Sequence, residues 1–242
     1  MFYAVFEIRN LSLYVQLRII RLPLCIIARE GIKVKKIIVI FILSVFMSAC
    51  LESTSPPNPQ PQFINGTPLQ AAATVVQAIQ QLQDGTGGLT PFINLFDSGG
   101  VRFSPYYYIN NTDRVVNATE FQSDFVLQNP PLRLWGTYDG SGDPINLNIR
   151  DYFSKFVWDY PYHTNATVTL INSNNDFNSQ GNLINNMLSF YPLSQYRIVE
   201  YYQPGTNPAN GGMDWSSLMV VLKNQGNNQW SLVGLVHGSW TI

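Results

Sequence analysis

Two residues near the C-terminus, Asp214 and His237, have side chains that together could transfer a proton. An imidazole held by a carboxylate is a common general base in enzymes. If Lys223 pairs with Gln229 in a β-hairpin, however, the two side chains point to opposite faces of the sheet, and only a one-residue bulge would bring them together. The same pair could instead be a hydrogen bond that closes the sheet, and we favour this structural interpretation.

Arg102 is the candidate for binding an anion in a pocket, because it precedes a bend and has the aromatic neighbours Phe103 and Tyr106. A surface arginine paired with a carboxylate would have no such role. Tyr138 and Trp215 are further candidate binding residues, since exposed aromatic side chains with a polar group suit carbohydrates or peptides. Buried tyrosines would instead fill a β-rich core, and we favour this interpretation for the tyrosines as a group.

The segment Asp139–Asp143 places oxygen-bearing side chains at alternate positions, as a Ca²⁺-binding loop does. The fuller EF-hand pattern fails, because Pro144 stands where the glycine of the sharp turn is required. Arg150 likewise stands where the bidentate glutamate is required. The pattern therefore favours a Gly-rich turn, with a metal site at Asp139 and Asp143 as the alternative.

Composition excludes several other kinds of site. The histidines are His163 and His237, which excludes a His-rich metal site, and the cysteines are Cys25 and Cys50, so no thiol lies after Cys50. The chain has no P-loop, nucleophile elbow or dinucleotide-binding glycine pattern, and we expect no cofactor. After Cys50 there are seven Lys and Arg against thirteen Asp and Glu, a net charge of −6, which argues against nucleic-acid binding.

The elements that would position these residues begin with a helix. Thr67 is a candidate N-cap and Pro68 suits the first helical position, and apolar residues then recur at spacings of three and four from Leu69 to Leu82. The further predicted elements are helices at 89–96, 149–158 and 182–190 and strands at 101–109 (interrupted by Pro105), 132–138, 167–171 and 197–202.

The chain ends in two apolar runs, Ser216–Lys223 and Gln229–Thr241, which flank a loop rich in Asn and Gly at 224–228. This pattern predicts a long β-hairpin. Both faces of its first strand are apolar, with Leu218, Val220 and Leu222 on one face and Met219 and Val221 on the other. The hairpin is therefore predicted to be central and covered on both sides.

This order of elements predicts an α+β fold with a curved, mostly antiparallel sheet packed on helices and ending in the hairpin. Over residues 68–242 it resembles the NTF2-like cone, in which a curved sheet wraps a helix and forms a pocket. The length of this region indicates a single globular domain, and the resemblance offers a pocket enzyme, a hydrolase or isomerase, as one functional hypothesis. Lipocalin-like and cystatin-like arrangements are the alternatives.

The N-terminal part of the chain has the pattern of a bacterial export signal. Lys35 and Lys36 precede an apolar run at 37–46, which is too short to span a bilayer, since that requires about 20 apolar residues. The following segment, Met47–Cys50, resembles a lipobox. The resemblance implies cleavage before Cys50 and a lipid, including palmitate, on that cysteine. Cleavage without a lipid, and a short buried helix at 37–46, are the alternatives.

Residues 1–33 precede the signal, and their charges leave no room for a membrane span. We predict that they are an extension ahead of the true start at Val34, so that 34–49 is the signal peptide. Residues 50–67 are rich in Pro, Ser, Asn and Gln and predict an extended tether between the membrane and the domain. Leu51 after the cysteine resembles an outer-membrane address in a Gram-negative envelope.

Four segments resemble those of a group of uncharacterised bacterial envelope proteins: Arg102–Tyr106, Trp135–Ile145, Gly211–Leu218 and His237–Ile242. The resemblance implies kinship without an activity or a ligand. The chain is therefore expected to be a lipid-anchored envelope protein that binds or supports an unidentified envelope component. A pocket enzyme using Asp214, His237 and Arg102 is the alternative, and a peptidoglycan-associated factor is a third hypothesis that follows from location alone.

Overall fold

The computed structural model describes residues 59–178 and 185–240. The predictions for the chain before residue 59, which include the signal, Cys50 and most of the tether, lie outside these residues. The start of the helix predicted at 182–190 and the end of the last predicted strand, at Thr241, also lie outside them. Among the described residues, no helix combines the length and apolar character that a membrane crossing requires.

The described elements follow one another in a mixed order of helices and strands. The strands are β1 (Ile64–Asn65), β2 (Val101–Ser104), β3 (Arg114–Val116), β4 (Arg133–Thr137), β5 (Pro144–Leu147), β6 (Thr167–Ile171), β7 (Tyr196–Gln203), β8 (Ser216–Gly226) and β9 (Gln229–Ser239). The helices are α1 (Pro68–Gln83), α2 (Thr90–Ile93), α3 (Ala118–Val126), α4 (Ile149–Phe156), α5 (Tyr162–Asn165) and α6 (Met187–Phe190), with a 3-10 turn at Pro208–Asn210.

A seven-stranded sheet forms the centre of this domain, in the order β3-β2-β9-β8-β7-β6, and β1 pairs with the start of β9. Neighbouring strands are antiparallel except β2 and β9, which run parallel, so the sheet is mixed. Strands β4 and β5 form a separate two-stranded sheet. The predicted α+β class, with a sheet packed on helices, is confirmed.

Strand β8 lies between β7 and β9 and buries both of its faces, as its alternating sequence predicts. Leu218, Val220 and Leu222 join the larger core cluster, which also contains the buried face of α1. Met219 and Val221 point the other way into a second cluster, which is closed by residues from loops and from α6. The sheet therefore separates two apolar cores, one covered by helices and one covered mainly by loops.

The first predicted helix is confirmed as α1. The Thr67 hydroxyl accepts a hydrogen bond from the Gln70 backbone N–H at 3.3 Å, and the Gln70 side chain accepts one from the Thr67 N–H at 2.9 Å, which is a capping box. The buried face of α1 consists mostly of alanine and valine, so the helix can approach the sheet closely. Leu69, which was predicted on this face, is exposed instead.

The sequence did not predict β1, β3, α3 or β5, which are all short or follow an irregular segment. Strand β1 lies within the segment that was predicted to be the tether. The folded domain therefore begins before Pro68. Ile64 is buried where it pairs with Trp230, and the Trp230 indole N–H donates to the Gly66 carbonyl at 2.8 Å. These contacts give the end of the tether a fixed place on the central sheet.

The connection between β8 and β9 is tighter than predicted. Asn227 and Asn228 form a two-residue turn with φ angles of 52° and 55°, which matches the right-handed twist of the strands. The register also shifts where Gln225 and Val233 have no partner in the pairing. As a result Lys223 pairs with Ser231 rather than Gln229.

Two glycines of β9 allow tyrosine rings to lie directly on the sheet in the loop-covered core. A Cβ atom on Gly238 would lie 2.2 Å from the Tyr107 ring, which is an impossible contact. A Cβ atom on Gly234 would lie 3.0 Å from the Tyr191 hydroxyl and 3.2 Å from the Val221 side chain, which are tight but longer contacts. Gly238 is therefore the more strictly required of the two.

We expect Gly238→Ala to lower the free energy of unfolding by about 3 kcal/mol, because Tyr107 must leave its place in a packed core. Gly234→Ala, on the same face of the same strand, is the matched control and should cost about 1 kcal/mol. Urea unfolding of both variants measures these values. Equal losses in the two variants would contradict the proposed role of Tyr107.

Candidate functional site

The most concentrated group of polar side chains under the helices surrounds His237, which is 3% exposed. Its Nε2 atom lies 3.1 Å from Asp159 Oδ2 and 3.3 Å from Ser216 Oγ. Its Nδ1 atom lies 3.1 Å from the Pro105 carbonyl, which can only accept a hydrogen bond, so Nδ1 carries a hydrogen. Tyr162 completes the group, which we call the His237 cluster.

Four separate parts of the chain bring the His237 cluster together. Ser216 and His237 lie on the neighbouring strands β8 and β9 and face the helices. Asp159 lies in the loop after α4, and Tyr162 opens the short helix α5 that follows. Strand β2 ends just before Pro105, which has no N–H for the ladder, and the Pro105 carbonyl is left to accept from His237.

Asp159 is the centre of this cluster and its most accessible member, with 23% of its side chain exposed. The Ser216 hydroxyl donates to Oδ2 at 2.5 Å, and the Tyr162 hydroxyl donates to Oδ1 at 2.7 Å. Burial by itself would raise the pKa of Asp159, but the hydrogen bonds and charge of His237, with the two hydroxyls, lower it overall. Burial, and then the nearby carboxylate, raise the pKa of Tyr162 far above its usual range.

The His237 cluster differs from a serine-hydrolase triad in its connections. In a triad the serine and the carboxylate approach opposite nitrogens of the imidazole. Here Ser216 and Asp159 both approach Nε2, and the serine proton is directed to the carboxylate. The Phe156 ring also lies edge-on to the imidazole, with centroids 5.5 Å apart. The geometry suits a fixed hydrogen-bonded junction between the sheet and the α4–α5 loop.

Asp214 does not join His237. Its Oδ2 atom accepts hydrogen bonds from the backbone N–H groups of Thr206 and Asn207, both at 2.9 Å. The hydrogen bond from Asn207 is the main cause that lowers the pKa of Asp214. The candidate pair Asp214–His237 is therefore not formed. His237 pairs instead with Asp159, which lies in a distant loop. Asp214 instead holds the loop that precedes β8.

The candidate binding residues are dispersed. Arg102 donates to the Asp113 carbonyl at 2.8 Å and lies 5.0 Å from the Phe190 ring centroid, so it holds the turn before β3. Trp215 is buried in the loop-covered core, where it stacks on Tyr107. Both side chains therefore make their contacts within the folded domain.

Tyr106 and Tyr138 are the two candidates that lie near the His237 cluster. Both contact the Phe156 ring, with centroids 6.1 Å and 6.4 Å from it. The Lys155 ammonium donates to the Tyr138 hydroxyl at 3.0 Å and lies 4.6 Å from that ring. Burial raises the pKa of Tyr106. These side chains form an aromatic rim around Phe156, whose ring contacts His237.

Asp139 and Asp143 lie in the turn between β4 and β5. The Asp139 carboxylate accepts from the Gly140 N–H at 3.0 Å, and the Asp143 carbonyl accepts from the Tyr138 N–H at 2.8 Å. No group of three or more His, Cys, Asp or Glu side chains placed to hold a metal occurs among the described residues. The turn that the sequence favours is what the structure contains.

Sequence reasoning did not single out Glu200, a fully buried carboxylate in the middle of β7. Ser217 Oγ donates to it at 3.1 Å and the Asn178 backbone N–H donates at 2.6 Å, and both donors are neutral. A lone acidic residue inside the apolar run Ile198–Tyr201 was the available signal. Since leaving buried donors unpaired is costly, Glu200 fixes the 172–178 loop onto the sheet.

A surface groove opens where the folded domain begins, and we call it the Asp97 groove. A broad section of about 610 Å³ lies between Pro59 and the start of α3 at Asn117. A narrower section of about 170 Å³ reaches Lys223 and Ser231 on the central sheet. The two sections share the residues Pro61, Phe96, Asp97 and Ser98.

Comparisons of this chain with models of protein families, with curated proteins and with solved structures find no match.

We expect Asp159→Asn to reduce the free energy of unfolding by about 2 kcal/mol at neutral pH, because charged hydrogen bonds are lost. A carboxyl group whose pKa is lowered by folding stabilises the protein above its unfolded pKa of about 3.9, and this stabilisation is lost as the pH falls below that value. The difference in the free energy of unfolding between wild type and variant should therefore disappear at acidic pH.

Urea unfolding of both proteins over a series of pH values measures this effect. Asp143→Asn, at an exposed turn, is the matched control and should follow the wild type throughout. A gap for Asp159→Asn that is the same in acid as at neutral pH would contradict the ionised state of Asp159.

Proposed function

We propose that this chain is a lipid-anchored protein of the bacterial cell envelope whose domain binds or supports an envelope component. Its membrane contact would be the lipid on Cys50, and in a Gram-negative envelope its place would be the outer membrane. The sequence before residue 59 motivates the anchor. The domain motivates the binding role, through the groove beside the point where the tether enters it.

The Asp97 groove is the observation that carries this proposal. Its volume of about 610 Å³ in the broad section falls within the range of ligand-binding clefts, about 300–1,000 Å³. Pro59 and Pro61, at the end of the tether, form part of its wall. A ligand in the groove would therefore contact both the domain and the chain that leads to the anchor.

The burial and the hydrogen bonding of the acid–base groups support a binding role over a catalytic one. Ser216 and Tyr162 both donate to Asp159 beside His237, and all of these side chains except Asp159 are nearly inaccessible. A general base must reach the proton it removes, directly or through one water. His237 is engaged at both nitrogens, with Pro105 on one side and Asp159 on the other.

We also propose that the domain is a variant of the NTF2-like arrangement. Support comes from α1, which packs across β7, β8 and β9 on one face of the sheet. The segments between β2 and β4 and between β6 and β7 would then be additions to a minimal cone.

We expect the wild-type chain, produced in a bacterial host with a clickable palmitate analogue, to incorporate the label. Cys50→Ala should incorporate none, because Cys50 would be the acylated residue. Cys25→Ala is the matched control, since these are the two cysteines of the chain, and it should be labelled like the wild type. In-gel fluorescence measures the result. Label in Cys50→Ala, or none in the wild type, would refute the anchor.

The pair His237–Asp159, with Nε2 and Oδ2 3.1 Å apart, favours one second candidate, a pocket enzyme of the hydrolase or isomerase type. In this alternative Asp159 takes the place predicted for Asp214. The aromatic rim of Tyr106 and Tyr138 would then border the substrate. Such an enzyme requires the imidazole to be open to small molecules, which makes the alternative testable.

Carbethoxylation by diethyl pyrocarbonate tests the accessibility of His237 against an internal control, because His163 is exposed and the chain has these two histidines. We expect His237 to react at least about tenfold more slowly than His163, as buried groups react through opened states. Peptide mass spectrometry over time measures both rates. Equal rates would favour the enzyme over the binding module.

A further inference from the structure

The narrow section of the Asp97 groove has a polar floor built from strands β8 and β9 and the loop that carries Asp97. Ser231 Oγ donates to Asp97 Oδ2 at 2.7 Å, and the Gln225 amide donates to the same oxygen at 3.1 Å. The Asp97 Oδ1 atom accepts from the Gly99 N–H at 3.0 Å. Burial would raise the pKa of Asp97, but these hydrogen bonds and Lys223 lower it overall. The Asp97 carboxylate therefore provides a fixed negative charge at one point of the floor.

Lys223 is the group on this floor with donors left for a ligand. Its Nζ atom is 3.4 Å and 3.5 Å from the two Asp97 oxygens, and its side chain is 41% exposed. An ammonium has three hydrogens, and a contact of this length occupies at most one of them well. Lys223 is thus held in place by Asp97 while it still faces the groove.

The charges along the groove nearly cancel. Asp97 is paired with Lys223, and Glu120 in the broad section is paired with Arg114. A phosphate-rich or strongly cationic ligand would gain little electrostatic attraction here, because such a ligand requires an excess of the opposite charge. The short polar side chains of Ser98, Asn117 and Thr119 add groups that can both donate and accept hydrogen bonds.

Phe63 supplies an apolar surface at the wall of the narrow section and is 53% exposed. It follows the prolines of the tether and immediately precedes β1, whose pairing with β9 fixes the backbone at this point. An exposed aromatic ring beside a polar floor is the combination that binds molecules with one apolar and one polar face. The backbone that carries the ring is thus fixed before any ligand arrives.

We infer that the Asp97 groove binds a neutral saccharide chain, with one sugar ring seated between Phe63 and Lys223. A sugar presents C–H groups to an aromatic ring and hydroxyls, which both donate and accept, to the polar floor. It carries no charge, in agreement with the balanced groove. The narrow section, at about 170 Å³, is the smaller of the two sections and would hold the ring that contacts Phe63.

The broad section would accommodate the continuation of the saccharide past Pro61 toward α3. This inference deepens the proposed function, since it names the class of envelope component that the module binds. It does not depend on the lipid, because the groove is formed by residues of the folded domain.

Isothermal titration calorimetry of the full chain, solubilised in a polyoxyethylene detergent that has no sugar headgroup, tests the inference. The probes are the tetrasaccharides of the chito-, cello-, malto- and xylo- series. We expect at least one of them to bind with a Kd between about 0.1 and 1 mM. Phe63→Ala and Lys223→Met should each weaken that binding at least about fivefold.

Two variants outside the groove serve as matched controls. Leu132→Ala removes an exposed apolar side chain and Lys155→Met removes an exposed lysine, and both should leave the Kd unchanged. Thermal unfolding of all four variants checks that the fold is intact. Failure of every tetrasaccharide to bind overturns the inference, and so does binding that the groove variants leave unchanged. Neither result affects the palmitate experiment, so the lipid anchor and the saccharide site can fail independently.

Discussion

The burial of both faces of β8 is the constraint on which the rest of this structure depends. A strand whose alternate residues are all apolar must be covered on two sides, because each exposed face would leave apolar area in water. Pairing with β7 and β9 places β8 in the interior of the sheet. Helix α1 and its neighbours cover one face, and the loops that carry Tyr107 and Trp215 cover the other. The long loops of this protein are therefore part of its core.

The sequence predicted the elements that are determined by interactions between residues close together in the chain. Thr67 and Pro68 marked the start of α1 correctly because capping is decided within one helical turn. The alternation in β8 predicted two covered faces for the same reason. Strand β1 could not be predicted, since Ile64 and Asn65 form a strand only by pairing with residues more than 160 positions away.

The candidate site was predicted only in part, and the reason is register. His237 was identified as a candidate acid–base residue, but the residue opposite it in the sheet depended on the pairing of β8 with β9. The two-residue turn at Asn227 and Asn228 sets that pairing, because the shifts at Gln225 and Val233 lie on opposite strands and cancel. His237 therefore pairs with Leu218. Asp159 lies 78 positions from His237, in a loop whose path follows from the packing of α4. No periodicity in the sequence reports such a contact.

The position of β1 has a mechanical consequence. Tension on the chain before residue 62 would reach the folded domain first at the hydrogen bond from Gln62 N–H to the Asn94 carbonyl and then at the β1–β9 pairing. The contacts loaded first are therefore one hydrogen bond and a two-residue strand, and the long pairing of β9 with β8 lies behind them.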